Sequence, residues 1–529
     1  MSLACSLFVS LLVGCGGGAP GSPDASLSTD APASGSCGDT ICELTENCVT
    51  CPTDCGICPA GCGNAACSGA ETCQTCPADC GTCALGCGDG VCAADESCGS
   101  CPLDCSCPTA GVRLAAGGSL TFQDVSADGV YLAYTNASGA LFRVATDGAS
   151  APVQVSTGVI RARFKGNFLV TFSGLDATGK YATSMSVFSE TGTSAIRTDG
   201  PAIRIKSVTA TADGAHYAYL RGASGQPRDV LLDGQVLFAA AISAKIQFTP
   251  NSAALIAGLS YTGGNGVLVQ PVLAYPVVGG SPVTLAADGA GTSFAITPSS
   301  ASVVVAANAN GGRADLTLVP ITGGAGALVA TGDDTGFSVL PDGTTLVYVD
   351  AGALRKIQLS GTGGLTLVGS GVVAVDDISQ SSIVYATFQD ATTGLETLRI
   401  VRTSGSGDSA IGTTAASEHY TPGATIVAAR TNIVGTAGSL VLVPVASLTG
   451  ASVAPNITKS SFPDETRVVY ADSIGTLDIV AASGGSATVI QARINTFELV
   501  PDSLGSTTRL RAAYVIANGV NAGLYVTPL

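Results

Sequence analysis

Along residues 111–529, compact polar turns alternate with short, apolar, branched stretches. Ser126-Ala127-Asp128-Gly129 leads into Val130-Tyr131-Leu132-Ala133-Tyr134, and Thr211-Ala212-Asp213-Gly214 leads into Tyr217-Ala218-Tyr219. Leu340-Pro341-Asp342-Gly343 precedes Leu346-Val347-Tyr348, and Phe462-Pro463-Asp464-Glu465 precedes Val468-Val469-Tyr470. Pro and Asp-Gly suit tight turns, whereas branched and aromatic side chains suit strands. Weaker copies turn at Gly166, Asn251, Ser299, Ser381, Gly423 and Asp502, so ten marks lie 38 to 48 residues apart. A second turn follows at Asn136, Asp350 and Asp472, and a third, Gly-rich one at Asp147-Gly148 and Gly279-Gly280. Three turns divide each unit into four strands.

A repeat of roughly 42 residues built from four strands predicts an all-β chain folded as a β-propeller. About ten units are expected, in one large ring or two smaller ones. After Asp502 there is room for strands at Leu510 to Ile516 and Leu524 to Val526, but not for a fourth. Val112-Arg113-Leu114, ahead of the first unit, can supply it and close the ring, hiding edges that otherwise invite aggregation. The Pro-Asp-Gly-led units resemble the TolB-like propeller repeat, which is related to WD40 repeats. That resemblance implies a binding platform, or an accessory domain of an enzyme.

The first hundred residues follow another pattern. Three copies of one Cys motif begin at Cys37, Cys62 and Cys87. They contain Cys37, Cys42, Cys48, Cys51, Cys55 and Cys58; Cys62, Cys67, Cys73, Cys76, Cys80 and Cys83; and Cys87, Cys92, Cys98, Cys101, Cys105 and Cys107. Six per copy is even, and 25 residues cannot build an apolar core without staples, so disulfides are expected. Zinc is the rival reading of the Cys-x-x-Cys pairs, but no His lies nearby and six thiols exceed the four that zinc takes. The motif resembles Cys-Gly-Asp-Gly-x-Cys…Cys-Pro-x-Asp-Cys repeats of secreted Gram-negative proteins, which implies an extracytoplasmic location. Recurrent acids Asp39, Glu46, Asp54, Glu71, Asp79, Asp89, Glu96 and Asp104 are candidate calcium ligands. Turn chemistry explains the same aspartates.

Ahead of this head, residues 1–14 are short and apolar, and Leu12-Val13-Gly14-Cys15 resembles a bacterial lipobox. The resemblance implies cleavage before Cys15, lipidation of its thiol and an outer-membrane lipoprotein facing the periplasm or the cell surface. The expected segments are a signal peptide over 1–14, a flexible Gly/Pro/Ser tether over 15–36, the disulfide repeats over 37–109 and the propeller over 110–529. No Lys or Arg precedes Arg113, so the head carries most of the net charge of −16. Such a head repels phosphate backbones, and nucleic acid is not an expected partner.

Catalytic motifs are scarce. Only His216 and His419 occur, neither beside an obvious Ser or Cys nucleophile, and no nucleophile elbow, phosphate loop or zinc-protease motif is present. The absence of Trp disfavours aromatic stacking on glycans. Asp350 and Asp472 are the candidate acids for carboxylate catalysis in the ring mouth, and turn chemistry explains the same residues. The sequence therefore predicts a lipid-anchored envelope scaffold, non-catalytic and without a required cofactor, that binds envelope proteins or an extracellular polymer. The alternatives are a propeller enzyme acting on an extracellular polysaccharide or peptide, and a calcium-dependent adhesive module.

Overall fold

The computed structural model describes residues 111–529, apart from 176–181, 201–203, 224–225, 264–265, 334–335, 502–508, 510 and 518–520. The described residues form antiparallel sheets and contain no helix. Seven sheets are single four-stranded units, one of them with the short extra strand Leu268–Val269. An eighth, ten-stranded sheet holds three more units, because two long strands each serve two of them. Asp408–Tyr420 pairs first with Glu396–Arg402 and then with Ile426–Val434. Ala451–Ser461 likewise pairs with Ala437–Pro444 and then Arg467–Asp472. The described residues thus make ten blades of a β-propeller.

Numbered along the chain, blades one to six cover residues 121–156, 159–199, 204–241, 243–286, 289–333 and 337–368. Blades seven to nine cover 374–415, 416–457 and 457–491. Blade ten is composite. Ile494–Val500, Arg511–Ile516 and Gly523–Pro528 come from the end of the chain, and Val112–Ala116 pairs onto the last of them. The predicted donor strand therefore closes the blade.

The hydrophobic core shows that there is one ring, not two. It consists of ten clusters, and each spans one junction between sequential blades. The last cluster joins Leu114, Val515 and Leu524 of blade ten to Leu132 and Val144 of blade one. The second strand of each blade lies between two junctions and is buried on both faces. Val303 and Val305 pack toward blade four, while Val304 and Ala306 pack toward blade six. That position is why these strands read as unbroken apolar runs instead of alternating patterns.

The Asp-Gly turns that mark the repeat also join neighbouring blades. The buried first residue of several turns accepts a backbone N–H from the following strand: Tyr131 to Ser126 (2.9 Å), His216 to Thr211 (3.0 Å) and Ala254 to Thr249 (3.0 Å). The tip then bonds to the next turn. Asn251 N–H donates to Ser300 Oγ (3.0 Å), Asp342 N–H to Gln380 Oε1 (2.8 Å), and Thr425 Oγ1 to Glu465 (2.8 Å). At the closing junction Gly129 sits at φ +72°, and a Cβ there would lie 1.8 Å from the Pro501 carbonyl oxygen. Only glycine fits so close an approach in that backbone conformation.

Candidate binding site on the inner strands

The first strand of each blade forms the inner wall. These strands approach one another from blade to blade, as with Thr121–Val125 against Val159–Lys165 and Arg204–Ala210 against Ser243–Phe248. Most carry a β-bulge, including those at Val159/Arg161, Lys206/Thr209, Val375/Asp377 and Ile494/Thr496. A bulge inserts one residue and re-aims the side chains beyond it.

In blade two the inner strand reads Arg161-x-Arg163-x-Lys165. Period two puts all three cations on one face. Their register partners Phe172, Val170 and Phe168 belong to the cluster that packs toward blade three. The cations therefore lie at the inner end of the junction between blades two and three. A cavity of about 480 Å³ opens there. Arg161, Arg163, Lys165 and Lys206 line it, over walls that include Val170, Phe172 and Ile205. Among the described lining residues there is no carboxylate, and Ser207 is the one neutral polar side chain. Ser207 sits in the bulge of blade three at φ +51°, a left-handed backbone conformation that costs a non-glycine residue free energy.

The inner-wall cations do different things. Lys245 donates to the Phe294 carbonyl (3.0 Å) and lies 4.5 Å from the centre of that ring, and burial lowers its pKa. Lys459 repeats the device on Phe497 (2.7 Å to the carbonyl oxygen). Both tie one blade to the next. Arg163 donates to the Gln123 carbonyl of blade one. Asp124 lies close enough for Arg163 and Lys165 to stabilise its carboxylate. Burial nevertheless raises the Asp124 pKa, against N–H donors from Phe164 (2.9 Å) and Val125 (3.0 Å) and against those two cations. Arg161 is exposed, and among the described residues no such tie to a neighbouring blade is seen for it. Farther round the ring, a cavity of about 360 Å³ between blades six and seven carries Asp376 and Asp377. The inner wall is therefore basic at one junction and acidic at another.

The candidate acids named from the sequence are held by local structure. Asp350 pairs with Arg313 (2.7 Å) and Arg355 (3.3 Å). Asp472 accepts the N–H groups of Ile474 (3.0 Å) and Thr476 (2.8 Å), as its turn requires. His216 lies 2.6 Å from Asp233 at a strand start, and the side chain of His419 lies outside the described residues. Cys15, the eighteen cysteines from Cys37 to Cys107 and the acids Asp39, Glu46, Asp54, Glu71, Asp79, Asp89, Glu96 and Asp104 all lie outside them too. Among the described residues, no group of three or more His, Cys, Asp or Glu side chains could hold a metal ion. The basic cavity was not singled out from sequence, although the Arg161-x-Arg163-x-Lys165 alternation was its visible signal.

No protein-family model and no curated protein matches the chain. Several solved structures are similar at low identity. A crystal structure of the eukaryotic initiation factor is 14% identical over 72% of this chain and 90% of that one, with a TM-score of 0.43. An oligogalacturonate lyase in complex with manganese is 12% identical over 62% and 96%, with a TM-score of 0.32. TolB from Acinetobacter baumannii is 14% identical over 54% and 78%, with a TM-score of 0.25. Superpositions this loose leave the fold resting on the strand pairing itself, which defines a ten-bladed β-propeller.

Proposed function

We propose that the chain is a lipid-anchored protein of the bacterial cell envelope whose propeller is a binding platform, not a catalyst. The observation that supports this is the closed ring. Ten junction cores and the joined turns hold the inner strands in fixed positions. Binding residues collect where a rigid scaffold presents them. The signal peptide, the lipid on Cys15, the tether and the stapled head would place this platform at the outer membrane. Its partner would be an envelope protein or an extracellular polymer.

In-cell chemical cross-linking of the tagged, lipidated chain tests the reading, with the adducts identified by mass spectrometry. A stoichiometric partner linked to propeller residues is expected. A correctly localised protein that yields no protein or polymer adduct contradicts it. A second reading, a carboxylate-dependent enzyme, draws on the acidic cavity between blades six and seven. Turnover of an envelope polysaccharide or peptide, abolished by Asp376→Asn or Asp377→Asn, would favour that reading over the platform.

A further inference from the structure

We infer that the cavity between blades two and three is a docking site for an acidic peptide segment that also carries apolar side chains. The inference rests on the binding-platform reading and names its ligand class. Three observations converge on it. The cavity has a volume of about 480 Å³, within the range of sites that bury a small ligand or a few residues of a chain. Among the described lining residues the polar side chains are almost all cations, from Arg161, Arg163, Lys165 and Lys206. A bulge at Ser207 fixes the wall that carries Lys206, in a backbone conformation a non-glycine residue adopts only at a cost.

The occupant follows from the complement of this lining. Clustered cations call for carboxylates or phosphates. Among the described residues, Asp124 is the acid close to Arg163 and Lys165, and its carboxylate is already bonded by two backbone N–H groups. The walls at Val170, Phe172 and Ile205 call for apolar side chains beside those anions. A sugar polymer would need neutral polar partners for its hydroxyl groups, and among the described lining residues only Ser207 offers one. An acidic peptide with interspersed leucine or phenylalanine satisfies both parts of the lining.

The test uses the full-length protein and a fluorescein-labelled peptide of alternating Glu, Leu, Asp and Phe. Fluorescence anisotropy should show saturable binding that weakens as salt rises from roughly 50 to 300 mM. The double variant Arg161→Glu, Lys165→Glu should bind at least about tenfold more weakly, and Lys356→Glu, in blade six, should bind as the parent does. The milder Arg161→Ala, Lys165→Ala variant decides the matter if the reversal lowers the melting temperature. Weaker binding by a folded variant supports the docking site. Equal binding by both, or tighter binding of an oligouronide of equal charge than of the peptide, overturns it. If the peptide fails to bind while the folded double variant still acquires its cross-linked envelope partner, the docking site is wrong and the platform reading stands. Loss of both overturns both.

Discussion

The closing strand offers the sharpest test of the architecture. Leu114 lies on Val112–Ala116, is 6% exposed and packs with Leu132 and Val144 across the junction between blades ten and one. Leu114→Ala removes its branched end from that cluster. Fully buried Leu→Ala changes cost about 2–5 kcal/mol, and an edge strand relaxes more than a central one, so about 2–3 kcal/mol is expected. In a ring where each blade packs on its neighbours, the loss stays near its origin. Hydrogen exchange read by mass spectrometry resolves this. A local opening made about 2 kcal/mol easier raises exchange roughly thirtyfold. The rise should fall on Arg511–Ile516 and Gly523–Pro528, with blade five unchanged. Unchanged exchange over residues 511–528 would refute closure by the first strand. An equal rise in all ten blades would refute the nearest-neighbour picture.

Gly129→Ala should destabilise the same junction by at least about 2 kcal/mol, because the backbone is left-handed and the new methyl meets the Pro501 carbonyl; chemical denaturation measures it. Asp342 titrates at about 2, because hydrogen bonds from Thr344, Thr345 and Gln380 outweigh the opposing effect of its burial. Its bonded carboxylate therefore stabilises the fold above roughly pH 4, and that contribution disappears as pH falls toward 2. The side chain is exposed, which limits the effect to about 1 kcal/mol or less. Asp342→Asn should lower Tm at pH 7 and narrow the difference from the parent on acidification; a constant difference would contradict the assignment. The buried Tyr385 hydroxyl donates to Asp408 (2.8 Å), so Tyr385→Phe should cost about 1 kcal/mol, measured by thermal denaturation.

The parts of the fold visible in the sequence follow from position in the blade. Second strands such as Arg467–Asp472 touch a junction core on each face, and their apolar runs are plain. Turns such as Leu340 to Gly343 need residues of special backbone preference, so they mark the period. Outermost strands are less legible. Val153–Ser156 and Leu365–Val368 bury one residue in four, which leaves little pattern to read. The doubling of Asp408–Tyr420 into two blades was also hidden, because a shared strand removes the turn that would announce a boundary. The choice between one ring and two depended on which blade receives Leu114, a long-range contact that no local pattern encodes. The basic cavity needed both blades. Arg161-x-Arg163-x-Lys165 alternates visibly, but Lys206 joins it only when two inner strands meet.

The claim that the inner wall is the working surface is tested most directly by placing a photo-cross-linking amino acid at single positions of the full-length protein in living cells. Ser207, in the wall of the basic cavity, is compared with Val278, which is 95% exposed on the third turn of blade four. The account predicts a discrete adduct from Ser207, lost when Arg161 and Lys165 are reversed in charge, and none from Val278. Adducts from Val278 alone, or from neither position in a folded and correctly localised protein, would contradict it.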